Sequence, residues 1–158
     1  FANSVNITDG MDGLASGLLM ISLFGFLLLS TSILDTPLSI FIALWLGGLI
    51  AFLYFNVFPA RLFLGDVGAL SFGAAFATVG LLTGKVIALI IIGLPFLVDG
   101  FSSLIQILSV RIIHRRILPI APLHYLLLKI GWSEPKIVQR SWLVATMLVI
   151  FGIWLAII

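Results

Sequence analysis

The chain has 158 residues, of which 62% are hydrophobic and only 9% charged, with a mean hydropathy of +1.33. A soluble domain carries roughly 25% charged residues, so this composition excludes a water-soluble fold and indicates an integral membrane protein. The absence of cysteine excludes disulfides and thiolate metal sites, and without an interleaved basic and aromatic groove the net charge of +2 does not suggest a nucleic-acid partner.

In chain order, the first element is a polar run, Asn3-Ser4-Val5-Asn6-Ile7-Thr8-Asp9-Gly10-Met11-Asp12-Gly13-Leu14, directly before a long apolar stretch. Amides and carboxylates this dense at a bilayer boundary are costly and point to function. Asn3, Asn6, Asp9 and Asp12 recur every third residue, a stripe that drifts by roughly 60° per step on an α-helix. Only a tighter or irregular segment aligns all four. The competing structural reading is a helix cap, with Thr8 or Asp9 satisfying the first amides of the next helix.

Five apolar stretches then approach the roughly 20 residues needed to span a bilayer: Leu14–Leu34, Leu38–Phe58, Ala69–Thr83, Val86–Val110 and Ile137–Ile158. Asp35-Thr36-Pro37 and Thr83-Gly84-Lys85 read as turns between them. The longer polar connections are Asn56–Gly68 and Arg111–Lys136. Alternation places both, together with the Asn3–Leu14 run, on one side of the membrane. That side holds Arg61, Arg111, Arg115, Arg116, Lys129, Lys136 and Arg140, against Lys85 alone opposite. The positive-inside rule makes this side cytoplasmic, with Trp132 and Trp142 near the boundary. The expected fold is an all-α, polytopic membrane helix bundle forming one catalytic domain over residues 1–158, without internal repeats or interrupted helices.

Among the six acidic residues, Asp9, Asp12 and Asp66 converge in this topology from separate loops, each beside glycine. Oxygen ligands of this kind suit magnesium, which takes one or two carboxylates and fills its remaining positions with water and phosphate. Glycine allows backbone amides to approach a phosphate. Asp66 is also placed to cap the helix beginning near Ala69. Phe63 reads either as interfacial packing or as a stacking surface for a base, and Asn56 either as a helix-terminating or a site residue. Asp99, inside the fourth apolar stretch, needs a partner or a neutral form; an interhelical hydrogen bond is the favoured reading. Gln106 is similar. His124 stands within the basic loop, and His114-Arg115-Arg116 forms a cationic cluster.

Taken together, three segments resemble the polyprenyl-phosphate hexosamine-1-phosphate transferases. Asn3–Ala15 resembles their aspartate-rich motif, and Phe55–Gly68 their second conserved loop. Ala121-Pro122-Leu123-His124, with Gly131–Val138, resembles the last loop of one branch, the phospho-N-acetylmuramoyl-pentapeptide transferases of bacterial peptidoglycan synthesis. The resemblance implies transfer of phospho-N-acetylmuramoyl-pentapeptide from UDP to undecaprenyl phosphate, giving lipid I and UMP, with Mg2+, at the cytoplasmic face of the bacterial inner membrane. It implies Asp66 as the metal ligand and Asp9 and Asp12 as neighbouring catalytic carboxylates. Asn6, Asn56, Phe63 and Gln106 would line the nucleotide site, and His124 would contact the diphosphate or sugar. A homodimer is compatible with it.

The chain departs from that pattern in two ways. His124-Tyr125-Leu126 stands where the branch has three histidines, which keeps a related UDP-N-acetylhexosamine substrate in play. The chain also opens inside the first motif, so a C-terminal portion of a roughly ten-helix protein is expected. The family's adjacent aspartate pair would then lie N-terminal to Asn3, and the portion alone would be inactive. A transporter, the reading from a different class, would require inverted repeats and interrupted helices.

Overall fold

The computed structural model describes every residue from Phe1 to Ile158. It is all-helical: α1 Ala2–Thr8, α2 Leu14–Ser32, α3 Thr36–Asn56, α4 Gly65–Leu82, α5 Val86–Ile92, α6 Leu94–Ile113, α7 Leu123–Lys129 and α8 Glu134–Ile157. Five of these, α2, α3, α4, α6 and α8, are long and apolar enough to cross a membrane, so the protein is a multi-pass membrane protein. Large apolar side chains such as Leu44, Leu143, Met147 and Ile150 point outward, as a bundle solvated by lipid requires.

α2 is the central helix, buried over most of its length, and packs on both α3 and α8. Lipid tails are as apolar as leucine, so helices associate in a bilayer through close van der Waals fit, which small residues permit. Gly17 and Gly25 of α2 receive Trp142 and Val149 of α8, and Gly152 of α8 receives Ile92 of α5. A second layer forms where α1 threads between α4 and α6. There Gly73 lies against Ala2 and Val5, and Gly100 against Ser4. Between the layers, Phe76 meets the rings of Phe1, Phe26 and Phe96 at centroid distances of 5.4, 5.6 and 5.7 Å.

The turn expected at Asp35-Thr36-Pro37 is present. Asp35 Oδ1 accepts the amide of Leu38 at 3.1 Å, and Pro37 occupies the first turn of α3, where no N–H partner is needed. The fourth apolar stretch differs from expectation. Val86–Val110 is not one helix but α5 and α6, separated at Gly93. Pro95 has no N–H to give the carbonyl of Ile91, so the ladder cannot continue across the junction. The ring of Phe1 packs against Gly93 at the same point. One membrane segment is therefore interrupted, contrary to the sequence reading. Two short helices, α1 and α7, also lie in segments read only as polar connections.

Successive spans run antiparallel, so the starts of α2, α4 and α8 and the ends of α3 and α6 share one end of the bundle. The three motif segments meet there.

Candidate active site

Close packing of α1 on α4 sets the first feature. Asp9 is the C-cap of α1, and Asp66 lies in the first turn of α4, following Gly65 at a φ of 61°. The approach at Gly73 brings these two ends together. Burial, and then the negative charge of Asp66, push the Asp9 carboxyl from 3.8 up to about 6, while the Gly65 amide acts the other way. The capping alternatives do not hold. α2 starts behind Gly13, at a φ of 76°, without a side-chain cap. Asp66 sits inside α4, also without capping it. Neither Asp9 nor Asp66 forms an ion pair with a protein cation.

Asp12 is used differently. Its Oδ2 accepts the Ala60 amide at 2.8 Å, and its own amide donates to Glu134 Oε1 at 2.8 Å. One residue thus ties the turn after α1 to the α3–α4 loop and to the first turn of α8. The expected convergence of three aspartates is corrected accordingly: no group of three or more acidic or histidine side chains is disposed to hold a metal ion.

Asn56 is buried at the end of α3, where Oδ1 accepts from the Ser16 hydroxyl and Nδ2 donates to the Leu62 carbonyl at 2.8 Å. The Phe55 carbonyl accepts from Arg61 and Leu62 amides. The loop held this way carries Phe63, which is 70% exposed. Asn6 is half-buried on α1.

A third set of bonds joins α6 to the segment after it. Gln106 Nε2 donates to the Leu118 carbonyl and Oε1 accepts the Leu118 amide, both at 3.0 Å. Ser102 Oγ accepts the Leu123 amide at 3.1 Å, and Asp99 accepts the His124 amide at 3.4 Å and its Nδ1 at 2.9 Å. Asp99, Ser102 and Gln106 follow i, i+3, i+7 spacing, one face of a helix. They clasp a strap running antiparallel to α6, and His124 is delivered by its last contact. The expected hydrogen bond of Asp99 is thus found, with α7 as its partner. Ser102 went unrecognised, although the polar stripe at that spacing in an apolar helix was its signal. Ser16 and Tyr125 left no comparable trace.

His124 is buried, and its ring lies 4.5 Å from that of Tyr125, whose hydroxyl donates to the Gly10 carbonyl at 3.1 Å. Trp142 Nε1 donates to the Gly13 carbonyl at 3.1 Å. The Asp9–Gly13 turn is therefore gripped from both sides. Beside it, a cavity of about 380 Å³ runs among Leu14, Leu18, Val98, Leu127, Val144 and Leu148, with Asp99, His124 and Arg140 also on its wall. Trp132 flanks it, with Lys136 Nζ at 4.9 Å and Arg140 Cζ at 4.6 Å from its ring centroid.

The donor chemistry fits magnesium. Asp9 and Asp66 offer oxygen atoms only, repel one another, and have no protein cation between them, so a divalent ion relieves an existing repulsion. Two carboxylates leave most of an octahedral shell to water and phosphate.

Comparison with known proteins adds two findings. Residues 1–84 match the model of the family described as glycosyl transferase family 4. The phospho-N-acetylmuramoyl-pentapeptide-transferases of Staphylococcus aureus strains JH9, Newman and Mu50 are 37% identical over 157 residues, which is 99% of this chain and 49% of each relative. The chain thus spans about half the length of the relatives it matches.

Proposed function

The chain belongs to glycosyl transferase family 4, and from that premise we propose that it forms the catalytic end of a membrane-embedded phosphoglycosyl transferase. Its substrates are UDP-N-acetylmuramoyl-pentapeptide and undecaprenyl phosphate, its products lipid I and UMP. The supporting observation is the juxtaposition of Asp9 and Asp66, two carboxylates without a cation, in a chain whose His124 also lines an apolar cavity among the membrane helices. Relatives of the same chemistry, matched along nearly the whole chain, support the assignment.

The reaction brings two anions together. A lipid-phosphate oxygen forms a bond to the sugar-bearing phosphorus of the nucleotide diphosphate. The bond from that phosphorus to the oxygen shared with UMP breaks, and UMP leaves with the electron pair. Asp66, with Asp9 beside it, would hold Mg2+, which when bound neutralises the diphosphate and the charge on the departing nucleotide. Phe63, exposed on its loop, stacks against uracil. Asn6 contacts the nucleotide from α1. Asn56 and Gln106 shape that side of the cleft by holding the loops that border it, and Asp12 locks the catalytic turn between them. The apolar cavity takes the first part of the prenyl tail, keeping it out of water while its phosphate reacts at the boundary. His124 meets the sugar or diphosphate. The site faces the cytoplasm, where the arginine-rich loops lie.

Tyr125 favours a second sugar specificity. Its hydroxyl holds Gly10 where the resembling branch has an imidazole, so a UDP-N-acetylhexosamine is the alternative donor. The deciding experiment measures UMP release by the full-length protein in nanodiscs with undecaprenyl phosphate and each donor. Release with the muramoyl-pentapeptide donor supports the assignment; release with UDP-N-acetylglucosamine alone replaces it with the second reading.

A further inference from the structure

Asp99 is a carboxylate inside a membrane helix and only 7% exposed. Both of its oxygens turn to one residue: Oδ1 to the His124 amide at 3.4 Å and Oδ2 to His124 Nδ1 at 2.9 Å. An ionised carboxylate only accepts hydrogen bonds, so opposite one a neutral imidazole carries its proton on Nδ1. That leaves Nε2 as an acceptor. It is fully buried and has no hydrogen-bond partner in the protein. It is aimed at the Asp9–Gly10 turn, where a methyl group built on Gly10 would lie 2.7 Å from it. An orphaned ring nitrogen costs free energy unless something else satisfies it.

We propose that Asp99 is a positioning residue, fixing His124 in the Nδ1–H form so that Nε2 accepts a hydrogen bond from a hydroxyl or amide N–H of the donor sugar. The inference deepens the transferase reading and rests on it for the identity of the ligand, but the hold itself is a property of the protein. Two points of attachment on one residue fix both the position of α7 and the rotation of the ring. A hydrophobic anchor would secure only the first. Gly10 belongs to the same device, because any side chain there would fill the space in front of Nε2.

Asp99→Asn separates orientation from simple tethering. The amide keeps the shape and can still hydrogen-bond, but its NH2 group faces Nδ1 and drives the proton to Nε2, converting the acceptor into a donor. In 15N-histidine NMR of the full-length protein in nanodiscs, the resonance that disappears in His124→Gln assigns His124. The expected result is an Nδ1–H resonance for His124, replaced by Nε2–H in Asp99→Asn at unchanged thermal stability. Catalytic turnover should fall at least about tenfold in that variant and recover in part in Asp99→Glu, and Gly10→Ala should lose activity similarly. An Nε2–H form in the unmodified protein, or full turnover by Asp99→Asn, overturns the proposal. If the Nδ1–H form is found while the unmodified protein releases no UMP from either donor, the hold stands and the transferase reading fails instead.

Discussion

Asp9 and Asp12 sit in the same turn, each followed by glycine, yet they meet opposite surroundings. Asp12 is surrounded by donors and partners: the Ala60 amide on its carboxylate, and Glu134 on its own N–H. Asp9 faces another carboxylate and is driven up to about 6. The difference comes from the helix each one faces. α1 carries Asp9 toward the start of α4, which presents Asp66, whereas the turn carries Asp12 toward a loop with a free backbone amide. Identical chemistry thus becomes a charge reservoir in one place and a fastener in the other. A site that must bind a cation needs both, since unsatisfied carboxylates repel and would push the loops apart unless neighbouring bonds held them.

Breaking the reservoir should have the largest effect. Asp66→Asn is expected to lower magnesium-dependent UMP release by about a thousandfold or more without loss of folded protein. Unchanged turnover would remove Asp66 as the metal ligand. Breaking the fastener should be milder and should show in stability as well as rate. Asp12→Ala leaves the Ala60 amide without its acceptor, for an expected loss of about 1–3 kcal/mol, measured by thermal unfolding in detergent. Glu134→Gln combined with it should be less than additive, because both act on one junction; strict additivity would show that they are independent.

The pH dependence sharpens the contrast further. Asp9 binds its proton more tightly in the folded protein than its ordinary value of 3.8 allows. Its contribution to stability is therefore complete below about pH 4 and is lost as the pH rises toward 6. Cation binding needs the ionised form, so turnover should rise with pH through about 6 at limiting magnesium. In Asp66→Asn, the Asp9 carboxyl followed by 13C-aspartate NMR should titrate below about 6 but still above 3.8, because burial is the larger cause. A midpoint that stays at 6 would mean that Asp66 does not act on Asp9. The smallest effect is expected at Ser16→Ala, which removes one hydroxyl from the buried Asn56 Oδ1 and should cost about 1 kcal/mol, with little change in turnover.

Much of the architecture was legible beforehand, since a span is a local property. Twenty apolar residues must be satisfied within their own helix, whatever lies beside them. The start of α3 at Asp35–Pro37 and the grouping of the three motifs at one end followed from the chain alone. Composition established that the protein lies in a membrane, and the motifs pointed to the residues proposed for the chemistry.

Tertiary structure decided what each polar group faces. Nothing local distinguishes Asp9 from Asp12, tells that Asn56 bonds Ser16 and Leu62 while Gln106 bonds the Leu118 backbone, or pairs Asp99 with a histidine 25 residues away. At Gly93 the break coincides with Pro95, a local signal, but only packing brings the Phe1 ring against it. Helix formation is set within one turn of chain, whereas electrostatics and hydrogen bonding are set by whichever surface packing brings within a few ångströms, and that surface belongs to another helix.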